Sequence, residues 1–265
     1  MTDEHSDQLL DEKAIRDRAL FDRIADSYAR KDLFLASAKA RQQRLRQTLG
    51  HHSLGAEIDI LEIGCGAGYS ARYLSGHYSS FTGIDYSEEL IQYAKEENAV
   101  PSAQFEAIDL NNYHPGRQFD VVFMIGVLHH MTDMPTEMQS LVKLVRPGGM
   151  VAVNEPQPSN PIIHGMRKLR TKFDSSYSEE QVELTADQVK ALFSDAGLVD
   201  VVSVPQGYFS TPFAEVVIKP EFISSPLCSA AVFLDARLEK NPSLLRNWSW
   251  NVIVTGTKPV HSAAN

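Results

Sequence analysis

A run of apolar residues leads directly into three alternating glycines, and this junction constrains the fold more than any other segment. The sequence Ile58-Asp-Ile-Leu-Glu-Ile-Gly-Cys-Gly-Ala-Gly68 predicts a buried strand, a sharp turn and then a helix. Glycine has no Cβ, so the backbone can turn tightly and a ligand can lie against it. The helix start adds unpaired N–H groups and a positive dipole end, which suit an anionic group. The junction therefore predicts a ligand site at the end of the strand.

The next apolar strand, Phe81-Thr-Gly-Ile-Asp85, ends in an acid. In a βαβ unit, such an acid lies near the ribose of a bound nucleoside. A dinucleotide turn reads G-x-G-x-x-G, but here Tyr69 stands at the place of the third glycine. A bulky ring is unfavourable beside a pyrophosphate, so the spacing disfavours NAD and favours a different nucleoside cofactor.

Five segments, in order, resemble the motifs of class I S-adenosylmethionine-dependent methyltransferases. The first is the glycine turn, Leu61 to Gly68, and the match covers roughly residues 58–154. The other four are Gly83-Ile-Asp-Tyr-Ser87, Phe105-Glu-Ala-Ile-Asp-Leu110, Phe119-Asp-Val-Val-Phe-Met-Ile-Gly-Val-Leu-His-His130 and Leu144-Val-Arg-Pro-Gly-Gly-Met150. The resemblance is to small-molecule enzymes with an N-terminal helical lid, and it implies S-adenosyl-L-methionine as the cofactor.

The alternation of strand and helix from Ile58 onward predicts an α/β fold with a parallel sheet and right-handed crossovers. The resemblance implies a Rossmann-like, doubly wound sheet of seven strands. Its last strand, Ser249 to Thr257, would run antiparallel to its neighbours.

Two regions are expected in the domain organisation. Residues 1–50 would form an acidic tail and a helical lid, and residues 51–265 would form the methyltransferase domain. Insertions at about 155–184 and 207–242, after strands five and six, are expected to cap the substrate pocket. An oligomer interface is the alternative for both, because apolar helices outside a core often serve that purpose.

The resemblance places the cofactor at the carboxyl ends of the strands. Asp85 would accept hydrogen bonds from the ribose, Tyr86 would flank the adenine, and Asp109 would meet the adenine edge. Glu62 and the glycine turn would serve the methionine end. Tyr28, in the lid segment, would either touch the methionine moiety or only pack its helix onto the sheet. The full predicted cofactor set is Tyr28, Glu62, Gly64, Cys65, Gly66, Gly68, Asp85, Tyr86, Asp109, Leu110, Ile125 and Gly126.

Methyl transfer is an in-line displacement at a sulfonium carbon, so the protein mainly positions two reactants. A base is needed only if the acceptor must lose a proton. His130, at the end of the fourth strand, and Glu155, at the end of the fifth, are the candidate catalytic residues. For His130 the alternative is a contact that braces the cofactor or a loop, and for Glu155 it is a loop hydrogen bond.

A basic cluster in the first insertion includes Arg167 and Arg170. Beside the expected pocket, these cations would meet an anionic or lipid-like small-molecule acceptor. The alternative is a solvated helix face. No metal is expected, because the adjacent residues His129 and His130 would point to opposite faces of a strand.

The amino-acid composition disfavours several classes of protein. A net charge of −9 disfavours broad nucleic-acid binding, which needs a basic footprint. Two cysteines, one of them inside the glycine turn, favour the reducing cytoplasm over a disulfide framework. The longest apolar run, Val121 to Leu128, is too short to span a bilayer. An NAD-linked oxidoreductase and a non-catalytic cofactor-binding interaction protein are the alternative functions.

Overall fold

A central sheet of seven strands organises the computed structural model, which describes residues 3–50, 54–158, 160, 184–240 and 246–260. The strands are β1 (Asp59–Ile63), β2 (Ser80–Asp85), β3 (Ala103–Ala107), β4 (Phe119–Ile125), β5 (Val145–Pro156), β6 (Val199–Gln206) and β7 (Asn251–Thr257). Their spatial order is β3-β2-β1-β4-β5-β7-β6. The first five are parallel, and β7 runs antiparallel to β5 and β6. The predicted seven-stranded α/β fold with an antiparallel last strand is confirmed.

Eight helices flank this sheet in the part of the chain that the structure describes. They are α1 (Asp3–Ala29), α2 (Leu35–Leu49), α3 (Tyr69–Tyr73), α4 (Glu88–Glu97), α5 (Met134–Lys143), α6 (Ala186–Asp195), α7 (Thr211–Glu215) and α8 (Glu221–Leu238). Short 3₁₀ turns occupy Arg30–Leu33, Leu110–Asn112, Leu128–His130 and Arg246–Trp248. Local sequence sets several helix starts: Ser87 Oγ accepts the Leu90 N–H, and Thr185 forms a capping box with Gln188.

Two boundaries differ from the sequence-based expectation. The N-terminal acidic tail is helical from Asp3 as part of α1. The residues Ser225 and Pro226 predict a helix start at that pair, but α8 begins at Glu221. Proline inside a helix removes one backbone hydrogen bond but does not force the helix to start there, so Pro226 lies within α8.

The strand order reverses beside β1, which has β2 on one side and β4 on the other. Ligands of open α/β sheets bind at the crevice beyond the carboxyl ends of the strands at such a point. Here the turn after β1 meets the loop after β4, because the Val127 side chain packs where a Cβ of Gly64 would lie. The topology thus brings two sequence motifs, more than sixty residues apart, to one place.

Both faces of the sheet are covered by helices. Alternating residues of β1 and β4 divide between the two cores: Leu61 and Met124 pack towards α5 and α6, and Ile60 and Phe123 pack towards α2. Side chains of a strand alternate between faces, so each apolar strand supplies both layers. Helix α2 therefore lies directly on the sheet, beside the switch point.

The second insertion docks on this lid region. Helices α7 and α8 pack against α2 through a small cluster that contains Ala36, Ala40, Ala214 and Cys228. Most of the first insertion, residues 161–183, lies outside the described residues. Among the residues that are described, no helix is long and apolar enough to cross a membrane.

Candidate functional site

Three glycines of the turn after β1 adopt backbone conformations that side chains disfavour. The φ angles of Gly64, Gly66 and Gly68 are +68°, +51° and +76°. At Gly68 an added Cβ would lie 2.8 Å from both the Phe105 ring and the Ala94 Cβ. Left-handed backbone and close packing each require glycine, so the turn is fixed by conformation and by space.

Asp85, at the end of β2, is tied to this turn. Its Oδ2 accepts the Gly66 N–H at 2.8 Å, and its Oδ1 accepts the Ser87 N–H at 2.9 Å. Burial raises the pKa of Asp85, although these backbone hydrogen bonds oppose the rise. Each carboxylate oxygen can accept a second hydrogen bond, so the carboxylate is held in place with acceptor capacity remaining.

Glu62, in β1, carries an unsatisfied buried oxygen. The residue is only 4% exposed; its Oε1 accepts the Ser70 hydroxyl at 2.7 Å, and its Oε2 has no hydrogen-bond partner among the described atoms. Burial raises the pKa of Glu62 to about 8. Buried polar atoms are nearly always paired, so this oxygen points to a donor supplied from outside the protein.

A cavity of about 110 Å³ lies over Glu62 and the glycine turn. Ile125, at the end of β4, completes its floor, and Tyr28 and α2 form its walls. A larger surface groove of about 510 Å³ between the start of α5 and one side of α6 lies apart from the turn, with Met134, Pro135 and Leu192 in its lining. We assign the candidate site to the smaller cavity because the turn and the unpaired carboxylate oxygen meet there.

The lid contributes Tyr28 and two arginines to the cavity wall. Tyr28 lines the cavity, and its Cε1 lies 3.5 Å from where a Gly66 Cβ would stand. The guanidinium of Arg41 is 5.0 Å from the centre of the Tyr28 ring. Arg41 donates a 2.5 Å hydrogen bond to the buried Asp32, which also accepts the Tyr73 hydroxyl.

Arg44, one helical turn further along α2, pairs with Glu215 of α7 at 2.6 Å. Burial would raise the pKa of Glu215, but the Arg44 charge and hydrogen bond lower it to about 2. The Arg44 Nε is buried and has no partner among the described atoms. The cavity thus combines two guanidinium groups with the carboxylate of Glu62.

Arg41 and Arg44 line the candidate site but are not among the residues predicted from the sequence. Arg41 precedes Leu45 and Leu49 by one and two helical turns, and both leucines are buried. That i, i+4, i+8 spacing was an available signal that Arg41 borders the buried face of α2.

Helix α1 covers the neighbouring part of the cleft. The Phe21 ring meets the Tyr86 ring edge-on at 6.1 Å and the His130 ring at 5.5 Å. His130 Nδ1 lies 3.1 Å from the Asp17 carboxylate, and burial lowers the pKa of His130. Tyr86, a predicted cofactor residue, and His130, a candidate catalytic residue, therefore both lie against Phe21 of α1.

Glu155 braces the loop after β4. One carboxylate oxygen accepts the Val127 and Leu128 N–H groups at 2.9 and 2.8 Å, and the other lies 2.7 Å from His129 Nδ1. Its side chain is almost fully buried. The geometry favours the loop-bracing alternative and makes Glu155 a positioning residue.

The remaining predicted cofactor residues lie in different surroundings. Asp109 is exposed and caps its own turn by accepting hydrogen bonds from Asn112, and Leu110 is buried in the core. The Cys65 thiol packs against Gly83, and burial raises its pKa, so this residue offers its backbone to the cavity. Gly126 has open space at its Cβ position.

Two predictions concern acceptor and metal. Arg167 and Arg170 lie outside the described residues. Within the described ranges, no cluster of three His, Cys, Asp or Glu side chains could hold a metal ion.

Comparison with known proteins finds similarity to methyltransferases. A family model described as a methyltransferase domain matches residues 61–151. Trans-aconitate 2-methyltransferase of Azoarcus sp. is 27% identical over 137 residues, which cover 51% of this chain and 53% of that protein. Phthiotriol/phenolphthiotriol dimycocerosates methyltransferase of Mycobacterium leprae is 33% identical over 106 residues, 39% of each. The chain spans about half or less of the length of these relatives.

The fold is also found among solved structures. A SAM-dependent methyltransferase, possible histamine N-methyltransferase, from Thermotoga maritima superposes with a TM-score of 0.61. The alignment covers 91% of this chain and 98% of that one at 18% identity. At this identity the likeness shows a shared fold.

Substituting Gly68 by alanine tests whether the turn depends on close packing as well as on backbone conformation. Gly76→Ala is the matched control, because Gly76 has a similar φ of +83° but open space around its Cβ position. We expect Gly76→Ala to cost about 1–2 kcal/mol and Gly68→Ala roughly 1–3 kcal/mol more. Chemical denaturation of both variants measures the difference, and equal losses would show that packing at Gly68 is unimportant.

Proposed function

We propose that the chain is an S-adenosylmethionine-dependent methyltransferase, because residues 61–151 match a family model described as a methyltransferase domain and the fold is that of a SAM-dependent methyltransferase of known structure. Its acceptor would be an O, N or C atom of a small or lipid-like metabolite, in the cytoplasm. One observation supports this function most directly: a buried, unpaired carboxylate oxygen of Glu62 borders the cavity above the glycine turn. The positively charged ammonium group of S-adenosylmethionine would donate the hydrogen bond that this oxygen lacks.

The chain offers a partner for each part of the cofactor. Glu62 would hold the ammonium group, and Arg41 or Arg44 would hold the carboxylate of the methionine end. Asp85 would accept the ribose hydroxyls, since its two backbone hydrogen bonds leave further acceptor capacity. Tyr86 would lie beside the adenine.

The bound cofactor supplies a methyl group already activated on a sulfonium. The protein then has to orient the acceptor and exclude water, which α1 and α2 do by covering the crevice. No general base is required unless the acceptor must lose a proton.

His130 is the residue suited to such proton transfer. Its lowered pKa keeps the imidazole neutral at pH 7. The neighbouring Asp17 carboxylate can only accept a hydrogen bond, so the neutral ring carries its proton on Nδ1. The lone pair then resides on Nε2, which is the atom that would take a proton from the acceptor.

Arg167 and Arg170 stay candidates for contact with an anionic acceptor group. Their substitution by alanine should raise the KM for the acceptor and leave cofactor affinity unchanged. An unchanged KM would remove them from the acceptor site.

Thermal stabilisation by S-adenosylmethionine, S-adenosylhomocysteine and NAD, measured in parallel, tests the cofactor. A ligand that binds only the folded state at 100 times its Kd adds about 2.7 kcal/mol of stability. We expect stabilisation by the two sulfur nucleosides alone. Stabilisation by NAD alone would favour an oxidoreductase, and binding of S-adenosylmethionine without turnover of any acceptor would favour a non-catalytic protein.

Replacing Glu62 by glutamine tests the ammonium contact. The folded-state pKa of Glu62, about 8, exceeds the unfolded value, so ionisation of this group destabilises the folded wild type as the pH rises between about 4.5 and 8. Glutamine does not ionise. The free energy of unfolding of Glu62→Gln, relative to that of wild type, should therefore increase by roughly 2–4 kcal/mol from pH 5 to pH 8. Urea denaturation across this pH range measures the change.

The same variant should bind S-adenosylmethionine about 10- to 100-fold more weakly, because it loses a charge-assisted hydrogen bond. The matched ligand control is 5′-methylthioadenosine, which lacks the amino-acid end. Its affinity should not change. Equal weakening of both ligands in a calorimetric titration would place Glu62 away from the ammonium group.

A further inference from the structure

Helix α8 has its large apolar side chains on the outside. Its buried positions are small or polar: Ser224, Cys228, Ala231 and Asp235. Its exposed positions include Phe222, which is 79% exposed, Leu227, which is 56% exposed, and also Ile223, Phe233 and Leu234. A surface helix of a globular protein normally has the opposite arrangement.

The contacts of the buried face fix this orientation. The Cys228 thiol lies 3.2 Å from the Ala36 carbonyl oxygen, at the closely packed crossing with α2. The fully buried Asp235 carboxylate accepts the backbone N–H groups of Phe209 and Ser210, each at 2.9 Å. Rotating α8 to bury its phenylalanines would leave these polar groups without hydrogen-bond partners, which would destabilise the fold. The large apolar residues therefore belong on the outside.

The exposed surface continues beyond α8. The Leu35 N–H donates to Glu221 at 2.7 Å, so the start of α2 lies beside the start of α8. Exposed apolar residues from both neighbouring segments join those of α8. We call this surface the apolar face: Leu33, Leu35, Val216, Ile218, Phe222, Ile223, Leu227, Phe233 and Leu234. Contiguous exposed apolar surface of this kind marks an interaction site.

Cations border the apolar face, although the chain is acidic overall. Lys219 precedes α8, Arg237 and Lys240 lie at its end, and Lys39 flanks its middle through a hydrogen bond to Ser229. From Phe222 to Leu234 the helix carries no charged residue, and both of its acids, Glu221 and Asp235, already accept backbone hydrogen bonds. We call these cations the basic rim of the apolar face, and their charge complements a negatively charged partner.

The same rim argues against a second copy as that partner. Pairing two copies of α8 in either direction would bring lysine and arginine at the helix ends against the cations of the other copy. Like charges facing each other are unfavourable. An apolar surface edged by lysine and arginine instead matches the way interfacial helices bind anionic bilayers.

We propose that the apolar face binds an anionic lipid surface. Phe222 and Leu227 would enter the acyl region, while Lys219 and Arg237 would meet the phosphate groups. The face lies close to the cavity along the chain, since Leu33 and Val216 directly follow Asp32 and Glu215, which line the cavity. A lipid-like acceptor would then pass from the bilayer to the site without crossing bulk water. Binding to the bilayer goes beyond methyl transfer and does not require it.

Sedimentation of the full chain with lipid vesicles, without cofactor or acceptor, tests this binding. We expect the chain to sediment with vesicles that contain phosphatidylglycerol and to stay in solution with pure phosphatidylcholine. The double variant Phe222→Ser, Leu227→Ser should bind at least about tenfold more weakly. Lys219→Glu and Arg237→Glu should each weaken binding about fivefold or more.

The matched control is Val199→Ser with Val202→Ser, two exposed valines on the edge strand β6, and it should bind like wild type. Wild type that ignores the anionic vesicles would overturn the proposal. So would a stable dimer, seen by light scattering, that the Phe222 and Leu227 substitutions dissociate. Stabilisation of the same variants by S-adenosylmethionine, measured separately, shows whether the cofactor site is intact, so the two proposals can fail independently.

Discussion

The hydrogen bond from the Gly66 N–H to Asp85 joins the end of β1 to the end of β2, and the site depends on it. The Gly64 and Cys65 N–H groups reinforce the junction by donating to the Ile84 carbonyl at 2.8 and 3.0 Å. Three consecutive N–H groups are thereby used by one neighbouring strand end. With the turn held in this way, the positive φ angles of its glycines are maintained, and Glu62 is kept beneath the cavity.

Helix α1 is held on this base by surface pairs and by buried contacts. Arg18 pairs with Glu88 on the surface, and Asp26 accepts the exposed Tyr93 hydroxyl. Exposed pairs of this kind contribute little to stability. The attachment therefore depends on the buried contacts, in which the Phe21 ring packs against a small apolar cluster and Asp17 pairs with His130.

Sequence reasoning succeeded where the signal was local. The glycine turn and the acid at the end of β2 depend on residues a few positions apart, and the seven-stranded sheet with its antiparallel last strand followed from the resemblance. It failed where packing between distant elements decides the outcome. Arg44 meets Glu215 only because α7 docks on α2. For Glu155 the sequence left two alternatives open, because its hydrogen bonds depend on how the loop after β4 folds back. The outward apolar side of α8 could not be read from composition, since an apolar helix is ordinarily buried.

Helix α2 contacts both α8 and the cavity. Ala36 and Ala40 contact α8 on one side, while Arg41 and Arg44 reach the cavity from the neighbouring side. A ligand in the cavity that displaced α2 would also displace the surface over α8. Any coupling free energy between the two occupants would then be the same in both directions.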